Sequence, residues 1–93
     1  MNIFQKQRIE LIELISKVED KKLLKDFFTD LLTPNEFQEI AQRLQIVKLL
    51  KKGIPQREIS KKLGISIAKV TRGSRTLLNP NGGFQKILKK YYT

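Results

Sequence analysis

Lys69, Arg72 and Arg75 recur at steps of three in SIAKVTRGSRTL, residues 66–77. On a helix that spacing stacks one ammonium and two guanidinium groups into a single stripe. Such a stripe is suited to anions, because a guanidinium forks onto carboxylate or phosphate oxygens and an ammonium adds a point charge. The same segment carries Gly73 in its interior. A glycine there costs about 1 kcal/mol relative to alanine. On spacing alone it fits close packing of a second helix against this one.

Catalytic chemistry has few candidates. The chain has no histidine and no cysteine. That removes the usual general base near neutral pH, the thiolate nucleophile, disulfides and the usual metal ligands. Glu10 and Glu13 sit among bases on one helix and read as a solvated face. The turn NPNGG (79–83) lacks the GxxxxGK[ST] pattern of a phosphate loop. An enzyme is not expected, and no metal is called for.

Charge points to a polyanion instead. The 93 residues carry a net charge of +10. Residues 1–39 hold eight acids and six bases, net −2, whereas residues 40–93 hold one acid, Glu58, and thirteen bases, net +12. Nucleic acid is the partner this asymmetry favours, ahead of an anionic membrane surface; the alternative is a basic face that serves solubility. MNIFQKQRIELIE has no sustained apolar run of the signal-peptide kind, and no stretch approaches the ~20 apolar residues of a membrane span. A cytoplasmic protein with no membrane partner is expected.

The elements that must position these residues are all helical. A first helix is predicted over about 3–19, with Phe4, Leu11, Ile15 and Val18 in a stripe that Ile12 and Leu14 widen. A second is predicted over about 21–31, with Leu23, Leu24, Phe27, Phe28, Leu31 and Leu32 on a broad apolar face. This is more apolar surface than two short helices hide against each other, and an intertwined dimer would bury it. In TPNE (33–36), Thr33 is the expected N-cap, Pro34 the first helical residue and Glu36 the third, a capping box. That third helix is expected to bury Phe37, Ile40, Ala41, Leu44, Val47 and Leu50 and to stop at Gly53. A last helix is expected over about 84–92, with Phe84, Ile87, Leu88 and Tyr91 on one face. A single domain (1–93) follows, with a helical dimerisation core (1–53), residues 55–78, and the C-terminal helix.

PQREISKKLGISIAKVTRGSRTL (55–77) reads as helix, turn, helix. Pro55 fits the first helical position, Ile59 and Leu63 face inward, and small Ser60 lets a second helix cross closely. Gly64 tolerates the positive φ of the reversal, Ile65 plugs the turn and Ser66 caps the second helix. That helix is expected to bury Ile67 or Ala68, with Val70 and Leu77. Lys69 falls in its first turn, where the macrodipole disfavours a cation. An anion in front of it would remove the conflict. With the first helix across a phosphate backbone and the second in the major groove, Gln56, Arg57, Lys69, Arg72 and Arg75 share one surface. Arg57 and Lys61 would contact phosphates, Ser60 belongs to the same DNA-binding set, and Ile67, Ala68, Lys69 and Thr71 would reach base edges.

QREISKKLGISIAKVTRGS, LLTPNE and Arg43 within AQRL resemble the bacterial tryptophan repressor family, over roughly residues 23–78. TRGS is the most specific part. The resemblance implies an all-α, six-helix fold with a helix-turn-helix (55–78), assembled as an intertwined homodimer. It also implies a repressor that binds a palindromic double-stranded DNA operator with L-tryptophan as corepressor. Carried over by position, Arg43 and Arg72 would bracket the indole and Arg72 would hold the carboxylate. Thr33 and the carbonyls near Asp30 and Leu32 of the partner subunit would receive the amino group. Gly73 would let the ring approach the helix backbone, and Thr76 would edge the pocket. Three departures stand out: the Arg43–Gln56 segment is one residue shorter, Ile54-Pro55 replaces the usual Ser or Thr cap, and Lys69 and Arg75 replace small uncharged residues. Two alternatives stay open, a regulator of this fold with another effector or none, and a helical interaction module without a DNA role.

Overall fold

Four helices begin where a side chain accepts the first free N–H groups. Asn2 accepts from the Gln5 N–H at 2.9 Å, and the Gln5 side chain accepts from the Asn2 N–H at 3.0 Å, a reciprocal capping box. Asp20 accepts from Lys22 and Leu23. Thr33 Oγ1 accepts from the Glu36 N–H at 3.2 Å, and Glu36 accepts from the Thr33 N–H at 2.8 Å. Ser66 accepts from the Lys69 N–H at 3.3 Å. The computed structural model describes residues 1–92, which contain six α-helices and no strand. They are α1 (Ile3–Lys17), α2 (Lys21–Leu31), α3 (Pro34–Lys51), α4 (Gln56–Leu63), α5 (Ile67–Thr76) and α6 (Gly83–Tyr91).

The chain forms two compact units, Met1–Phe37 and the residues from Gln38 onward, with α3 running from one into the other. In the first unit neither α1 nor α2 has a fully buried residue. Phe28 packs its ring between those of Phe27 and Phe37, each pair of centroids 6.0 Å apart. Phe4, Ile12, Leu14, Leu23 and Leu31 remain exposed in the single chain.

The second unit has an apolar core. Ile46 of α3, Ile59 of α4 and Val70 of α5 form its centre, with Leu49, Leu50, Ile54, Leu63 and Ile65 packed around them. Ile59 and Val70 are 0% exposed. Burying each such side chain contributes on the order of 1.5–3 kcal/mol. Gly64 closes α4 in the left-handed region at φ 66°, and the Ile65 N–H donates to Ser60 O at 3.1 Å. Ser60 Oγ in turn donates to Ile65 O at 2.6 Å. The turn is therefore held from both sides, and Ile65 fills it as its sequence position implies.

Several expectations are corrected. In α3, Ile46 is buried, whereas Ile40 and Ala41 are exposed, Ile40 by 49%. The helix carries apolar residues on more than one face; Ile46 and Val47 lie on sides that other helices of the chain cover, whereas Ile40 and Ala41 lie on a side left open in the single chain. In α5, Ile67 and Ala68 are exposed, so Val70 alone is fully buried there. In α6, Leu88 is buried but Ile87 and Tyr91 are not. Pro55 is the N-cap of α4, in extended conformation, rather than its first residue. α1 ends at Lys17, and α6 spans Gly83–Tyr91 rather than 84–92. No helix of the described residues is long and apolar enough to cross a membrane.

Candidate functional site

The basic stripe of α5 lies on exposed surface. Lys69, Arg72 and Arg75 are exposed, as are Arg57 and Lys61 on α4. Gln56, Ser60 and Thr71 are only half-exposed, and each has one side-chain hydrogen bond within the chain. Thr71 Oγ1 donates to Gln56 Oε1 at 2.7 Å, which ties the start of α4 to α5. Ser60 is committed to the turn. Ile67 and Ala68, left out of the core, join the exposed face of the first turn of α5. Lys69 has a counter-ion inside the chain that its local sequence does not reveal: Glu39 of α3, 3.9 Å from its Nζ. The same carboxylate lies 3.9 Å from Arg43 Nη2. Both contacts are exposed, and pairs of this kind contribute about 0–1 kcal/mol.

Behind this stripe, between α3, α5 and α6, lies a cavity of about 260 Å³. Its apolar lining is Ile46, Val47, Gly73 and Phe84; its polar lining is Glu39, Gln42, Arg43, Lys69, Arg72 and Thr76. A hydrophobic slot with a few convergent polar groups is the usual form of a small-molecule site. Four residues expected at an effector site, Arg43, Arg72, Gly73 and Thr76, thus meet around one space. Thr76 Oγ1 donates to Gly73 O at 2.6 Å, leaving its oxygen free to accept. The other three expected residues, Asp30, Leu32 and Thr33, belong to the N-terminal unit. Asp30 lies in the last turn of α2, where carbonyls lack intrahelical donors, and Leu32 is that helix's C-cap.

Gly73 has a packing reason that stands without any ligand. A Cβ built on it would lie 2.7 Å from Ile46 Cγ2 and 3.7 Å from Leu50 Cδ1. Glycine is what lets α5 approach α3 this closely, and the same approach forms one wall of the cavity. Of the lining residues not singled out in the sequence, Glu39, Gln42 and Ile46 stand four before, one before and three after Arg43. Glu39 and Ile46 lie on the Arg43 face of the helix, and Gln42 stands three after Glu39, so helical spacing carried a signal for them. Phe84 had none, since it reaches the cavity from α6. Gln85 was also missed: it accepts from Lys51 Nζ at 2.6 Å and donates to Leu77 O at 2.7 Å, binding α6 to the ends of α3 and α5.

This arrangement defines a class: an all-helical protein with a ligand-sized cavity behind an exposed basic helical pair. The chain belongs to the Trp repressor protein family, whose sequence model matches residues 6–92. It is similar to the Trp operon repressor homolog of Chlamydia caviae, 41% identical over 81 residues that cover 86% of this chain and 80% of that protein. It is also similar to the homolog of Mannheimia succiniciproducens, 49% identical over 67 residues, 71% of this chain and 66% of that protein. Among solved structures, a Staphylococcus aureus protein provisionally assigned as a Trp repressor superposes with a TM-score of 0.84 at 33% identity, covering 97% of this chain and 93% of that one. The family is one of transcriptional regulators rather than enzymes.

Proposed function

We propose that the protein is a dimeric transcriptional repressor that reads a palindromic DNA operator through α4 and α5, with L-tryptophan as corepressor. The observation that carries the reading is the cavity: an apolar slot rimmed by Arg43 and Arg72, directly against the helix that bears the exposed basic stripe. A flat indole fits between the two guanidinium groups, and either fork can take the carboxylate. Thr33 and the carbonyls of Asp30 and Leu32, supplied by a second subunit, receive the amino group. Arg57 and Lys61 contact phosphates, and Ile67, Ala68, Lys69 and Thr71, with Gln56, Arg72 and Arg75, face the groove. Ligand binding then braces α5 against α3 and presents the stripe in one orientation. A second reading, a DNA-binding regulator with another effector or none, is favoured by the shorter Arg43–Gln56 connection, which shifts Arg43 relative to the α4–α5 pair.

Calorimetric titration with L-tryptophan tests the corepressor. One ligand per chain is expected, with binding lost in Arg43→Ala. Absence of heat and of thermal stabilisation at millimolar L-tryptophan would favour the second reading, with the DNA-binding role intact.

A further inference from the structure

Glu39 is the one carboxylate among the residues that line the cavity, set among three cations. It lies one helical turn before Arg43, and the two opposite charges meet at 3.9 Å on the rim. An amino acid carries the complementary pair, an ammonium and a carboxylate on the same carbon. Laid antiparallel against this rim, its carboxylate meets Arg43 or Arg72 while its ammonium meets Glu39. A ligand with a carboxylate alone would instead bring like charges together at Glu39.

Resting on the reading of this cavity as an effector site, we propose that Glu39 is the specificity residue that selects a zwitterionic α-amino acid over an apolar carboxylate of the same shape. The carbonyls of Asp30 and Leu32 and the Thr33 hydroxyl, from the second subunit, can accept ammonium N–H groups, but they bring only dipoles. Glu39 brings the formal charge, and its position on α3, the helix of Arg43, fixes the spacing between the two ligand-binding signs. Its present partner Lys69, also 3.9 Å away, is on exposed surface and is free to turn outward when an ammonium takes its place.

The test compares L-tryptophan with indole-3-propionic acid, which lacks only the amino group, by calorimetry on the full-length protein. The wild type is expected to prefer L-tryptophan by at least tenfold. Glu39→Gln, an isosteric change on an exposed side chain, is expected to weaken L-tryptophan about tenfold while indole-3-propionic acid binds as well or better. Glu39→Asp is expected to recover part of the preference. An unchanged ratio in Glu39→Gln, whether both ligands weaken together or neither does, overturns the inference and leaves the effector cavity standing. Failure of both ligands to bind the wild type overturns the effector reading and this inference with it.

Discussion

At the residue scale, Gly73 and Glu39 do different work within one space. Gly73 gives up about 1 kcal/mol of helix propensity so that α5 can rest on Ile46. Gly73→Ala recovers that propensity but drives a methyl to 2.7 Å from a branched side chain that cannot swing aside without changing rotamer. Overpacking of this kind typically costs about 1–3 kcal/mol, so the net expected loss is up to about 2 kcal/mol in urea unfolding. In an Ile46→Ala background the same substitution should cost less, because the clashing atom is gone; equal costs in the two backgrounds would show that the close approach is not what demands glycine. Glu39 is legible in the sequence only as an acid on a helix. Its partnership with Lys69 spans 30 positions, and local charge rules instead cast Lys69 as a misplaced cation.

At the element scale, the start of α3 is the best-determined feature of the chain. Proline at the first position and the reciprocal Thr33–Glu36 bonds follow from four consecutive residues. Thr33→Ala is expected to cost about 1 kcal/mol, read as a lower denaturation midpoint. The Thr33 backbone N–H, then its hydroxyl, hold the Glu36 carboxyl below the ordinary glutamate value of 4.5. A carboxyl depressed in the folded state contributes its stability in full above that ordinary value and loses it as the pH falls through the lowered one. Acid unfolding of Glu36→Gln should therefore lack a component that the wild type shows below pH 4.5; superimposable acid profiles would remove the carboxylate from the cap. The α4–α5 turn was equally readable, because Gly64 and Ser66 act within a few residues of themselves. Pro55 was misplaced by one position, since its fixed φ suits both the cap and the first helical residue.

At the scale of the whole molecule, charge and apolar surface define two expectations. If α4 and α5 contact phosphates, the logarithm of DNA affinity should fall linearly with the logarithm of salt concentration, and Arg57→Ala with Lys61→Ala should reduce that slope by about 2. A slope unchanged by the double substitution would move the contact surface elsewhere. The exposed apolar side chains of α1 and α2, with Ile40 of α3, call for a partner surface. Sedimentation at micromolar concentration should report a dimer, and Leu23→Glu should shift it toward monomer. A monomeric wild type would refute the intertwined assembly.

The sequence by itself determined what depends on near neighbours along the chain: the six helices, their caps, the α4–α5 turn and the basic character of the second half. Those features follow from helix periodicity and capping chemistry, which act over a few residues. Tertiary structure alone decided which faces are covered and which side chains meet. Ile46 is in the core and Ile40 is not because the side of α3 that carries Ile40 has no covering element within the chain. Glu39 reached Lys69, and Phe84 joined Arg43 and Arg72 around the cavity, because packing brings together residues whose separation in sequence carries no periodic signal.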